Sequence, residues 1–165
     1  AQCLVGSEMC IRDSYKSYYN YKDSDKIKYM QNLHYDPTTF DADYDANGTE
    51  YSSFPLLCED NVYDVLISDK AGVECCSWIN LIHPLDTYDG TLKTLFEGEL
   101  KDRVVTAQDS ANHTSAYAID ISGTDFANRM NLGYNDVYLS FPGNNEENVD
   151  HIIKLLNYIF DLGIE

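Results

Sequence analysis

Ala116-Tyr117-Ala118-Ile119-Asp120-Ile121-Ser122-Gly123-Thr124-Asp125-Phe126-Ala127-Asn128-Arg129-Met130 changes its hydrophobic period halfway along. Residues 116–122 are largely apolar and short enough for a buried strand. Phe126, Ala127 and Met130 then fall on one side of a helix, with small polar residues as the joint between the two. Upstream, residues 103–107 predict another strand, and Leu92, Leu95, Phe96 and Leu100 recur at helical spacing. Downstream, the helix stops at Gly133, and residues 136–141 predict a strand broken by Pro142-Gly143. Asn145 then stands as N-cap of a last helix. Glu146 and Glu147 occupy its first turn, where the helix dipole favours negative charge, and Val149, Ile152, Ile153, Leu156, Ile159 and Phe160 form its buried stripe.

Toward the N-terminus the period is two. Phe40, Ala42, Tyr44 and Ala46 alternate with aspartates up to Asn47-Gly48, and the chain returns through 49–54; Asn-Gly between alternating runs is a hairpin signal, since both central residues of a type I′ turn need positive φ. A second hairpin is expected from 62–68 to 73–82 through Asp69-Lys70-Ala71-Gly72. Its second strand would carry Trp78 in the core. Ile27, Met30 and Leu33 predict a short helix over 24–34. Together these readings predict an α+β fold: a mixed, mostly antiparallel sheet made from two hairpins and a following β-α-β-α segment, with helices packed on one face.

The chain has 165 residues, 28 acidic against 11 basic, and a formal charge of −17. Phosphate neutralisation needs clustered Lys and Arg, so the charge excludes a general nucleic-acid binder. No apolar run approaches the roughly 20 residues of a membrane-spanning helix. The expected partner is another protein with a basic surface, with no nucleic acid and no membrane span.

Residues 3–14, Cys-Leu-Val-Gly-Ser-Glu-Met-Cys-Ile-Arg-Asp-Ser, resemble the translation of a transposase-type sequencing-library adapter. The resemblance implies that 1–14 is an adapter-derived, non-native segment and that the chain is the translation of an environmental read. Residues 15–165 are then a single α+β domain, expected to be truncated at both ends. Without 1–14 the acidic excess persists, 26 against 10. Cys58, Cys75 and Cys76 remain, with no C-x-x-C spacing, so no disulfide framework or zinc signature is expected and a reducing, cytoplasmic setting is favoured.

Asp43-x-Asp45-x-Asn47-Gly48 matches the first half of an EF-hand-like calcium loop, with oxygen ligands at alternate positions and a turn glycine sixth. Phe54 stands where a bidentate Glu should complete the shell, and the hairpin explains the same residues with the aspartates solvated. No cofactor is expected, with calcium at Asp43, Asp45 and Asn47 the alternative. Asp120 to Asp125 is the catalytic candidate: Asp120 and Asp125 as the candidate catalytic carboxylates, and Ser122, Gly123 and Thr124 opening a helix whose free N–H groups can hold an anion. Asp120-x-Ser122-Gly123-Thr124 is similar to the nucleophile motif of haloacid-dehalogenase-type phosphatases, but Ser122 replaces the second, general-acid aspartate. A helix cap at Ser122 or Thr124 is the competing reading. The four histidines form no constellation, and Cys75 and Cys76, adjacent on a strand, would point to opposite faces.

Thr124-x-x-Ala127-x-Arg129-Met130, then Val137-Tyr138-Leu139-Ser140-Phe141, a polar loop and an amphipathic helix resemble the C-terminal half of the small proteasome assembly chaperones of the fourth type. The resemblance covers 124–160, and no functional residue is carried over. The expected function is a non-catalytic, acidic protein-interaction or assembly module. Two alternatives stand beside it: a hydrolase or phosphoryl-handling enzyme at 120–125, and a calcium-binding protein through 41–48.

Overall fold

Four short runs make the sheet in the computed structural model: β1 (Leu66–Ser68), β2 (Val104–Gln108), β3 (Thr114–Asp120) and β4 (Tyr138–Ser140). Their spatial order is β1-β4-β3-β2, and every neighbouring pair is antiparallel. Among the described residues, the α-helices that pack on this sheet are α1 (Lys70–Trp78), α2 (Gly90–Glu97), α3 (Asp125–Met130) and α4 (Glu146–Phe160). The structure describes residues 58–130 and 132–164, together with a two-residue parallel pairing of Gln2–Cys3 with Ile27–Lys28. That pairing stands where the sequence predicts a helix over 24–34. The rest of that helix and the 40–54 hairpin lie outside the described residues.

The mixed α+β class and the antiparallel sheet are as the sequence indicates; α3, β4 and α4 fall within the expected stretches, while β2 ends one residue later, at Gln108, and β3 is displaced two residues toward the N-terminus, over Thr114–Asp120. Residues 73–82 depart further. They form most of α1 instead of the return strand of a hairpin. Asp69, read as a turn residue, caps this helix, its carboxylate accepting from Gly72 N at 2.9 Å. Val73, Cys76 and Ser77 turn inward while Ala71, Glu74 and Trp78 face out, the helical period that the β-branched and aromatic residues had disguised. Trp78, expected in the core, is therefore 47% exposed, and Cys75 and Cys76 are both buried.

Because α1 is a helix, both faces of the sheet are covered, where one face was expected. Leu66, Ala107 and Ala118 pack with Val73 and Cys76 on the α1 side. Ile67, Ile119 and Leu139 pack on the other side against Leu92, Leu95 and Phe96 of α2, Met130 of α3, and Ile152, Leu155 and Leu156 of α4. Strand pleating sends successive residues to opposite faces. Tyr117 and Ala118 nevertheless share the α1 side, because the register with β2 slips between Val105 and Thr106. On the α2 side, Tyr88, Phe96 and Phe141 bring their rings together at centroid separations of 5.9 to 6.4 Å.

Edge strand β2 is guarded by α1. Lys70 Nζ donates to Thr106 O at 2.7 Å and Ser77 Oγ to Gln108 O at 2.9 Å, so two carbonyls of the edge are occupied from within the chain. At the opposite end of the sequence, α4 carries the expected Asn145 cap, and Asn148 answers it reciprocally as a capping box. Asn157 then ties the chain beyond the helix, with Nδ2 donating to Ile164 O and Oδ1 accepting from Ile164 N.

Candidate functional site

The segment between β3 and α3 is a turn that satisfies itself. Asp120 Oδ1 accepts from Ser122 N at 2.9 Å, closing an Asx turn. Ser122 Oγ accepts from Val137 N at 2.8 Å, stitching the turn to the start of β4. Thr124 is the cap of α3, its Oγ1 accepting from Ala127 N and donating to Ile121 O. Gly123 takes φ 77°, a backbone state that suits glycine. Of the N–H groups that would cradle an anion here, Ser122 N goes to Asp120 and Thr124 N to Ile121 O. Asp125, exposed at the start of α3, lines a cleft of about 160 Å³ with Phe126, Arg129, Tyr158 and Ile159. The sequence candidates Asp120, Ser122, Gly123, Thr124 and Asp125 are thus adjacent, with the first four engaged in turn closure and capping.

The calcium candidates Asp43, Asp45 and Asn47 lie outside the described residues. Among the described residues, no group of three or more His, Cys, Asp or Glu side chains is placed to hold a metal ion. Burial pushes the Cys58 thiol up to about 12, helped by the Glu59 charge, and the Cys75 thiol up to about 11. Neither thiol supplies a thiolate near neutral pH.

A polar cluster forms instead at the carboxyl end of β4. Asp64, 1% exposed, receives Asn148 Nδ2 on Oδ1 at 2.6 Å and faces His151 Nδ1 from Oδ2 at 3.1 Å. Asn148 and His151 are three residues apart on α4, so one helical face presents both. Asn148 Nδ2 also reaches Asn61 O, and Asn61 Oδ1 accepts from Asn144 N. Tyr88 OH donates to Gly143 O at 2.6 Å; burial, with the Asp64 carboxylate adding to it, holds the Tyr88 phenol far above its ordinary value of 10. Gly143 is obligatory for space: a Cβ there would lie 2.5 Å from Asn148 Cγ and 2.6 Å from Tyr63 O. His83 N donates to Phe141 O, and its ring bonds to the Pro142 backbone.

This cluster is the constellation that sequence reasoning missed. The histidines looked isolated because Asp64 and His151 are 87 residues apart in the chain, and only the β1–β4 pairing brings them together. The one local signal is the Asn145, Asn148, His151 spacing, a polar line on a helix whose other face is apolar. No family model matches this chain, and neither the curated proteins nor the solved structures contain a match to it.

Proposed function

We propose that the chain is an acidic protein-interaction module that docks a partner with a basic surface. The observation that carries this reading is Trp78. It is the large hydrophobic side chain left exposed among the described residues, at 47%, and it shares the outward stripe of α1 with Glu74, one turn away. An indole face beside a carboxylate is a favourable seat for a guanidinium or ammonium group, combining cation–π attraction with charge. The acidic excess adds long-range steering toward a cationic partner. The phosphoryl-handling reading draws less support, since two backbone N–H groups an anion would need are already used at 120–125.

Trp78 is also the sole tryptophan, so it reports on its own surface. Titration with a deca-arginine peptide at low salt is expected to give a saturable fluorescence change that weakens steeply with salt. Glu74→Gln should weaken binding several-fold, while Glu146→Gln, at the start of α4, should change it little. A linear, unsaturable response, or equal effects of the two substitutions, would leave only bulk charge attraction and refute docking at α1.

A further inference from the structure

We infer that Asp64 and His151 form a proton-transfer dyad, His151 Nε2 acting as general base toward a water that attacks a small neutral or cationic acyl ester. Burying a carboxylate is costly unless its lone pairs are met. Asp64 meets them with Asn148 on one oxygen and His151 Nδ1 on the other. In the neutral ring, a carboxylate facing Nδ1 makes that nitrogen the N–H and leaves the lone pair on Nε2. The His151 side chain is 15% exposed, so the ring is held by the interior while part of it meets solvent. Its platform is stiff: Tyr88 and Asn61 tie Gly143 and Asn144, and Asn148 fills the space over Gly143. Asp64 is the positioning residue and His151 the base, an arrangement suited to general-base catalysis.

Burial raises the pKa of the Cys58 and Cys75 thiols and the Ser122 hydroxyl is bonded to Val137; the nucleophile of the step is water. Nε2 takes one proton from the water as its oxygen bonds to the acyl carbon. Collapse of the tetrahedral adduct breaks the ester C–O bond, and the proton on Nε2 passes to the departing alcohol. Ester and water become acid and alcohol with no oxidant or metal required. The strongly negative chain disfavours anionic esters.

The test uses the full chain with 4-nitrophenyl acetate. Hydrolysis is expected to exceed that of equimolar N-acetylhistidine amide by about a hundredfold, the lower end of general-base contributions. His151→Gln should return the rate to that of the remaining histidines, and Asp64→Asn should lower it at least tenfold. Near-UV circular dichroism and Trp78 fluorescence check the fold of each variant. Nitrogen NMR of the wild-type chain should show His151 as the Nδ1–H tautomer, a readout independent of any variant. A wild-type rate no greater than that of the free amino acid derivative, an unchanged rate in His151→Gln, or an Nε2–H tautomer would overturn the dyad.

Discussion

Asp64 Oδ1 and Asn148 Nδ2 meet at 2.6 Å in a site where both residues are almost wholly buried, 1% and 3% exposed. This contact joins the segment before β1 to the first turns of α4, and it is the polar counterpart of the Ile152 and Leu156 packing farther along the same helix.

Removing one partner from that contact should be costly. Asp64→Ala leaves one hydrogen of the Asn148 amide and the His151 Nδ1 without their acceptor, while the second amide hydrogen keeps Asn61 O. Buried unsatisfied donors cost about 1–3 kcal/mol each, so a loss of about 3 kcal/mol or more is expected. Urea denaturation measures it. A loss below about 1 kcal/mol would mean that water replaces the carboxylate freely.

The α1 side chains over β2 are expected to keep the sheet edge closed. The Lys70→Ala/Ser77→Ala pair frees the Thr106 and Gln108 carbonyls for another chain. Size-exclusion chromatography with light scattering should then show concentration-dependent association that the wild type lacks. A double variant that stays monomeric at high concentration would show that the edge is blocked by something else.

His83 should make the fold acid-sensitive. Burial lowers its pKa below the ordinary 6.5, and the ring's bond to the Pro142 backbone offsets this only in part. The unfolded chain therefore takes up the proton first as pH falls. The stability His83 contributes is present above 6.5 and is lost as pH drops from there toward the folded value. In His83→Gln the decline of the urea midpoint between pH 7.5 and 5 should be shallower. An identical decline would assign the sensitivity to other groups.

Ser140 presents the opposite case. Its hydroxyl is fully buried on β4, flanked across the strands by Leu66 and Ala118, and has no hydrogen-bond partner among the described residues. Ser140→Ala removes a desolvated polar group with little change of volume, so a gain of about 1 kcal/mol is expected. The urea midpoint should rise with an unchanged slope. A loss of stability would reveal a water or other partner bound to the hydroxyl.

Local chemistry alone determined much of this protein. Asn145 followed by two glutamates and an apolar stripe specifies α4, because a cap, a dipole and a helical period act within a few residues of one another. The strand–turn–helix at 116–130 was legible for the same reason, and the capping role of Thr124 is the local alternative its side chain permits. What tertiary structure decided is whatever depends on a surface the sequence does not display. Val73 to Trp78 carries residues that suit a strand, yet the Asp69 cap and the need to cover the second sheet face made it a helix and put Trp78 outside. Asp64 and His151 carried no mutual signal in the chain. A hydrogen bond between residues 87 apart exists only once antiparallel β1 and β4 have fixed where α4 begins, because a polar side chain has no periodicity from which its distant partner can be read.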